Sequence, residues 1–330
     1  MTTRLIGPAL ALLSFGLYAT HDVMVKILGS TYSPVQILFF SVVFSFPMAT
    51  YLLMRDHEPG TLHPVHPWWT SLRTFAVVGT GLCGFYAFSV LPLAQAYALI
   101  FAAPLIVTVL AIPVLGEAVG PWRWGAVIVG LAGVLVVLRP GGVAPELGHL
   151  AALGAACCSA TVSVVSRRIG RAERSVVLML YPMMVNVVLM ACLLPQVYVP
   201  MPIADLGLTA AIAGLGFLAA LLTIAAFRQA DAALIAPMHY SQIVWAAVYG
   251  WVFFDERGDA ATWIGAAIII ASGLFTVLRE AGGRSAHRPV ISARPRSEGV
   301  PGPRIAQALR NRAGRVRPGH EALAKPRASR

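Results

Sequence analysis

The residues that can do chemistry here sit inside apolar stretches, where each of them needs a reason. An ionisable side chain at the centre of a bilayer costs at least about 2.5–3.5 kcal/mol. His21, Asp22 and Lys26 fall in the apolar run 5–28. Asp22 and Lys26 are four apart and share a helix face, so they can neutralise each other. Lys26 can also snorkel to the membrane surface. His21 adjoins them, and histidine is the residue type whose charge can change near neutral pH. The group reads either as a structural pair or as a gating or proton-coupling element.

A second cluster holds Pro237, His239, Tyr240, Gln242 and Trp245. Pro237 removes a backbone donor and can kink its helix. His239 and Gln242, three apart, share a face. Such a set can hydrogen-bond a polar solute and stack on its apolar or cationic part. The competing reading is a buried His–Gln hydrogen bond between helices. Tyr97, with Gln95 and Pro104 nearby, and Tyr18 supply polar groups that can face this cluster. Thr20, Tyr86, Thr161, Ser163, Asn186 and Thr223 read individually as helix-packing hydrogen bonds. The expected substrate-binding set is therefore His239, Tyr240, Gln242, Trp245, Tyr97 and Tyr18.

Catalysis has no comparable signature. No phosphate loop occurs, and no nucleophile stands beside a positioned base. Cys83, Cys157, Cys158 and Cys192 lie at no metal-ligand spacing and read as small packing residues. The three histidines His57, His63 and His66 share a loop that nothing fixes as a metal site. The expectation is no enzyme, no cofactor and no metal, with energy drawn from a gradient.

These residues must be positioned by an unusual chain. Of 330 residues, 58% are hydrophobic and 12% charged, against about 25% charged in soluble domains. Mean hydropathy is +0.74. That excludes a soluble enzyme, a secreted disulfide scaffold and a disordered polypeptide. Ten apolar runs recur, at about 5–28, 34–54, 69–90, 93–115, 121–139, 147–167, 175–195, 206–228, 232–254 and 259–279. Each approaches the ~20 residues that cross a bilayer as helix. Lipid offers no partner to free backbone groups, and the runs lack period-two alternation, so helices are expected rather than a barrel. The first run is too long, and too poor in a cleavage pattern, for a signal peptide. Pro34, Pro92 and Pro121 punctuate the runs, and Pro140-Gly141-Gly142 closes the fifth.

The net charge of +11 divides unevenly. Residues 280–330 hold 12 Arg/Lys against Glu280, Glu298 and Glu321, and residues 1–279 hold 13 against 11. The segment 280–330 is expected to be a disordered basic tail, able to meet anionic lipid. No aromatic residues interleave with its arginines, so nucleic acid is not expected as a partner. With ten spans both termini share a side. Arg4, Arg55, Arg73, Arg123, Arg167, Arg168, Arg171, Arg174, Arg228 and Arg279 lie there, against Lys26, Arg139 and Arg257 opposite. The termini are thus expected in the cytoplasm of a cell with the chain multi-pass in its inner (plasma) membrane.

The halves repeat each other. A shift of 141 places Ala11, Leu12, Ala19, Thr20, Val23 and Gly29 on Ala152, Leu153, Ala160, Thr161, Val164 and Gly170, and Lys26 on Arg167. A shift of 140 places Gly125 and Gly133 on Gly265 and Gly273, and 139 places Phe88 on Phe227 and Glu117 on Glu256. Glu117 and Glu256 are expected to make local caps or interfacial hydrogen bonds. Five helices per unit is odd, so the second copy enters from the opposite face. The fold expected is an all-α membrane protein, ten transmembrane helices as two inverted five-helix repeats, 5–139 and 147–279. Such repeats characterise transporters that hold substrate at the midplane.

Phe88-x-x-Leu91-Pro92-Leu93-Ala94-x-Ala96, Pro104, Leu115-Gly116-Glu117, Gly125, Gly130-x-x-Gly133 and Leu138-Arg139-Pro140-Gly141 resemble an EamA domain. Asp255-Glu256 and Gly265 resemble a second copy. The resemblance covers roughly 5–280 and is to the ten-helix branch of the drug/metabolite transporter superfamily. It implies N-in, C-in topology and carriage of small metabolites such as amino acids, S-adenosylmethionine, riboflavin or drugs. Asp22-x-x-x-Lys26 resembles one subgroup, from which the chain departs at Ser41, where that subgroup often has Arg. The expected activity is secondary active transport of a small polar or amphipathic metabolite, export favoured over import, with proton coupling and a homodimer both admitted. The alternative is a non-transporting receptor or scaffold on a duplicated bundle. A channel is disfavoured, since the spans carry no ring of like charges.

Overall fold

The computed structural model describes residues 3–54, 62–117, 119–139, 147–170, 172–230 and 235–282. Arg55, His57, Pro140-Gly141-Gly142, Arg171, residues 232–234 of the ninth run and the tail from 283 lie outside them. The described residues form helices joined by short connections and contain no strand.

The helices are α1 (Thr3–Gly29), α2 (Pro34–Met54), α3 (Pro67–Val90), α4 (Leu93–Ile100), α5 (Ala103–Leu115), α6 (Pro121–Leu138), α7 (Leu147–Ile169), α8 (Ser175–Leu193), α9 (Ile203–Gln229), α10 (Ser241–Phe254) and α11 (Ala260–Gly282). Proline opens α2, α3 and α6. Its missing N–H is one that a first helical turn would leave unused. Among the described residues eight helical segments are long and apolar enough to cross a membrane, α4 and α5 together making one of them. α11 contributes a shorter apolar stretch, Ala260–Thr276.

Two expected spans are broken rather than continuous. α4 stops at Ile100, Phe101 takes φ −71° and ψ 0°, and α5 restarts with Pro104 in its first turn. Proline has no N–H to return to the carbonyl four residues back, so the helical ladder lapses there. The ninth run becomes a 3-10 turn, Ala236–Tyr240, holding Pro237, followed by α10. Its α-helical part has only 14 residues.

Helices pair in a definite pattern. α1 packs along α9, α3 along α7, α6 along α11, and α4 against α10. Small residues permit the closest approaches. A Cβ on Gly133 would lie 3.0 Å from the Gly265 carbonyl oxygen, and one on Gly265 2.7 Å from that of Gly133. The outer faces stay apolar: Ile128, Val129, Leu131 and Leu135 of α6 and Val244, Trp251, Val252 and Phe253 of α10 are all exposed. In water such a belt would be a liability, and in a bilayer it meets hydrocarbon.

Candidate functional site

α1 is a long apolar helix that presents its polar residues inward. Asp22 is buried. It accepts a short hydrogen bond from the Tyr97 hydroxyl of α4 and meets His21 Nδ1 at 2.7 Å. The expected neutralisation of Asp22 by Lys26 is therefore not what forms. Lys26 Nζ instead bridges to Glu256 at 2.5 Å, donates to the Leu91 carbonyl at 2.5 Å, and lies 5.2 Å from the centre of the Phe254 ring. The flexible lysine stem reaches past its own helix to the edge of the bundle, where a carboxylate and a carbonyl satisfy it. Asp22 lies deeper, and the nearest donors there are a phenol and an imidazole.

The break regions meet between the two halves. Phe101, at the α4–α5 junction, and Tyr240, ending the 3-10 turn, stack edge-on with centroids 5.3 Å apart. His239 stands 4.9 Å from Phe101 and 5.0 Å from Phe15 of α1. Its side chain is nonetheless exposed, so it opens onto a recess among rings rather than into packed core. Trp245 is partly accessible and lies against Gly16 of α1, whose Cβ would sit 3.4 Å from the indole. Tyr249 continues the aromatic row 5.9 Å from Trp245 and shares a 3.2 Å hydrogen bond with Thr20. Imidazole, phenol and hydroxyl can orient a polar group, while flat rings can stack on a heterocycle or hold a cation.

Not all of the sequence-predicted set faces this recess. His239 and Trp245 are accessible, and Tyr18 is half-buried beside the cluster of Ala11, Phe15, Ala226 and Ile235. Tyr97 is buried and committed to Asp22. Tyr240 is buried, its hydroxyl directed against Gly273 of α11. Gln242 is buried in the first turn of α10. Phe15, Phe101, Tyr249 and Thr20 join the recess. The three aromatic residues carried little sequence signal within apolar helices, whereas Thr20 was among the polar residues read as helix-packing hydrogen bonds. Thr161 and Ser163 bond back to carbonyls of their own helix, whereas Thr223 pairs across helices with Ser14 at 2.6 Å.

Glu117 and Glu256 do more than cap. Each follows a residue in the left-handed region, Gly116 at φ 70° and Asp255 at φ 50°. The N–H of each glutamate returns to a carbonyl six residues back, Ala111 and Gly250 respectively. This closure turns the chain off the helix axis and aims the carboxylate sideways. Glu256 then takes Lys26, and accepts from the Leu93 N–H at 3.0 Å. Glu117 takes Arg167 of α7. Of the two expectations, local caps or interfacial hydrogen bonds, the contacts that form are ones made across to other helices. The signal was present in the repeat: the offset that pairs Lys26 with Arg167 nearly equals the one that pairs Glu117 with Glu256.

A separate cavity of about 420 Å³ lies at the Glu256 end, lined in part by Gln95, Glu256, Arg257, Asp259, Thr262 and Trp263. Gln95 Nε2 approaches His149 at 2.9 Å. Among the described residues no group of three His, Cys, Asp or Glu side chains is placed to hold a metal.

The model of the EamA-like transporter family matches residues 5–139 and again 146–278. A protein named "S-adenosylmethionine uptake transporter" from Rickettsia bellii is 27% identical over 286 residues, 85% of this chain and 96% of its own length. A "Riboflavin transporter" from Rhizobium johnstonii is 28% identical, covering 73% of this chain and 78% of its own. A "Pseudopaline exporter CntI" from Pseudomonas aeruginosa is 26% identical over 81% of this chain and 94% of its own. A solved structure titled "Crystal structure of protein" superposes with a TM-score of 0.54 at 20% identity, covering 86% of this chain and 99% of that one, which speaks to the fold alone. The family and these relatives are transporters, not enzymes. With two copies of the family's domain along its length and membrane-crossing helices in both, the chain belongs to the EamA-like transporter family.

Proposed function

We propose that this transporter is a secondary active carrier of a small polar or amphipathic metabolite, working by alternating access between two inverted five-helix repeats. The helix pairing supports the repeats. α1 with α9 and α7 with α3 exchange roles when the halves are exchanged, while α4 with α10 and α6 with α11 map onto themselves. A two-fold relation produces that pattern. Odd repeats make the axis lie in the membrane plane. Ten crossings follow, counting the broken ninth and the shorter tenth, with both termini on the Arg-rich cytoplasmic side of the inner membrane.

The observation that carries the reading is the contact of Phe101 with Tyr240 at the two helix breaks, with His239 open beside them. Broken helices that meet between the two repeats are where such a carrier holds its cargo. His239, Trp245 and Tyr18 would contact the solute, and Tyr97, Tyr240 and Gln242 would shape the wall. The aromatic lining favours a flat or cationic amphipathic solute over a purely aliphatic one. S-adenosylmethionine and riboflavin, carried by named relatives, both bear a flat nitrogen heterocycle. Export is the working direction, with His21 and Asp22 as the proton-coupling candidates.

The test is counterflow in proteoliposomes. Labelled S-adenosylmethionine, riboflavin and a panel of amino acids would be offered against the same solute inside. Saturable counterflow of one of them, lost in His239→Ala at unchanged protein content, is the expected result. Flux in oriented vesicles, with and without a pH gradient, reads direction and coupling. No flux for any solute, together with a stable partner in mild detergent, would transfer the assignment to a receptor or scaffold.

A further inference from the structure

Two charge pairs stand in equivalent places. Lys26, near the end of α1, reaches Glu256 beyond α10. Arg167, near the end of α7, reaches Glu117 beyond α5. α1 opens the first half and α7 the second; the glutamates follow the fourth span of the opposite half. Each bridge thus links the first helix of one half to the fourth span of the other. Shifting the first half onto the second converts one bridge into the other, since Lys26 falls on Arg167 and Glu117 on Glu256.

The two bridges lie at opposite ends of one span. Glu256 holds the Leu93 N–H at the start of α4, and Glu117 follows Leu115 at the end of α5. Those 23 residues cover about 34 Å at helical rise. All four side chains are mostly buried, between 11% and 21% exposed. Charges so placed are screened weakly by salt and costly to separate without a replacement. Each bridge ties together, at one end of the bundle, elements that belong to different halves. Asp22 and Tyr97, one turn inward from Lys26, lie directly behind the first bridge.

We propose that Lys26–Glu256 and Arg167–Glu117 are the two gates of the transport cycle, one sealing each membrane face, and that opening one requires the other to stay closed. Both are formed in this structure. The assignment rests on the transport reading above, but its test needs no solute. Arg168 reinforces the second gate by donating to the Val114 carbonyl at the end of the same span while its guanidinium stacks on Trp69.

The experiment reads access to His239→Cys in a background where Cys83, Cys157, Cys158 and Cys192 are serine. A membrane-impermeant maleimide is applied to right-side-out and to inside-out vesicles. Glu256→Gln is expected to raise labelling from the Lys26 face by about three- to tenfold, the population shift that follows from weakening one closed state, and to lower it from the other face. Glu117→Gln is expected to do the reverse. Shifts in the same direction for both variants, or no shift in either, would overturn the gates. If a neutral variant is not inserted, the exchange Lys26→Glu with Glu256→Lys replaces it. Wild-type labelling from both faces would then support the gate, and labelling as high as in an open face would overturn it. A chain that moves none of the offered solutes still reports here, so failure of the gates and failure of the transport reading are distinguishable.

Discussion

Asp22 is held by Tyr97, 75 positions away, and not by Lys26 on the next turn of its own helix. The two charges of α1 therefore belong to different networks. One faces the interior of the bundle and the other closes its end.

That separation predicts how their substitutions combine. Tyr97→Phe should destabilise the protein by about 1–3 kcal/mol, the cost of stripping a donor from a buried carboxylate. Much of that loss should vanish once Asp22→Asn is also present. Lys26→Met should add independently to Tyr97→Phe, because the two share no partner. Thermal unfolding in detergent across the double-mutant cycle checks both statements.

His239→Ala should abolish transport, by at least about tenfold in rate, with membrane abundance unchanged. Tyr240→Phe should be milder in binding, since its hydroxyl points to Gly273 and away from the recess. Initial rates of counterflow as a function of solute concentration separate the two. Equal losses in both variants would argue that the wall, and not His239 itself, is what the solute needs.

The α6–α11 seam should be intolerant of even one methyl group. Gly265→Ala places a Cβ 2.7 Å from the Gly133 carbonyl oxygen, and should cost about 1–3 kcal/mol as overpacking. Gly125→Ala, on α6 with nothing within 4 Å, should be neutral or slightly stabilising through helix propensity. Melting temperatures of the purified variants read the contrast.

Tyr32, in the turn between α1 and α2, donates to Asp205 at 2.6 Å. That hydrogen bond, with burial and the carboxylate's charge, raises the phenol above its ordinary range. A folded-state pKa above the unfolded one stabilises wherever the phenol is protonated, so the contribution is complete below about pH 10. It is lost as the pH climbs through the raised value. Wild type should melt above Tyr32→Phe at neutral pH, and the gap should close in strongly alkaline buffer. A gap that widens with pH would show that the bond is not the source.

The spans and the site were legible to different degrees. Length and continuous apolarity located the helices, because a bilayer demands about 20 apolar residues in helical form whatever surrounds them. The same logic missed the break at Phe101–Ala102, which looks like unbroken apolar sequence until Pro104 is read as a lost donor. His239 and Trp245 announced themselves as polar or large groups in a span. Phe15, Phe101 and Tyr249 did not, since an aromatic ring in lipid, in packed core and in a binding recess has the same local sequence.

The chain's sequence by itself determined that it is a duplicated, helical, membrane-embedded transporter. Apolar run length and near-constant offsets are properties of order along the chain, and they need no partner to be read. Which cation meets which carboxylate was decided only by the tertiary structure. On an isolated helix Asp22 and Lys26 are neighbours by spacing alone. In the bundle, α4 brings a phenol to the deeper carboxylate, and the turn after α10 brings Glu256 to the lysine. Both contacts displace the i,i+4 pairing, because the buried groups gain full partners only when distant helices dock.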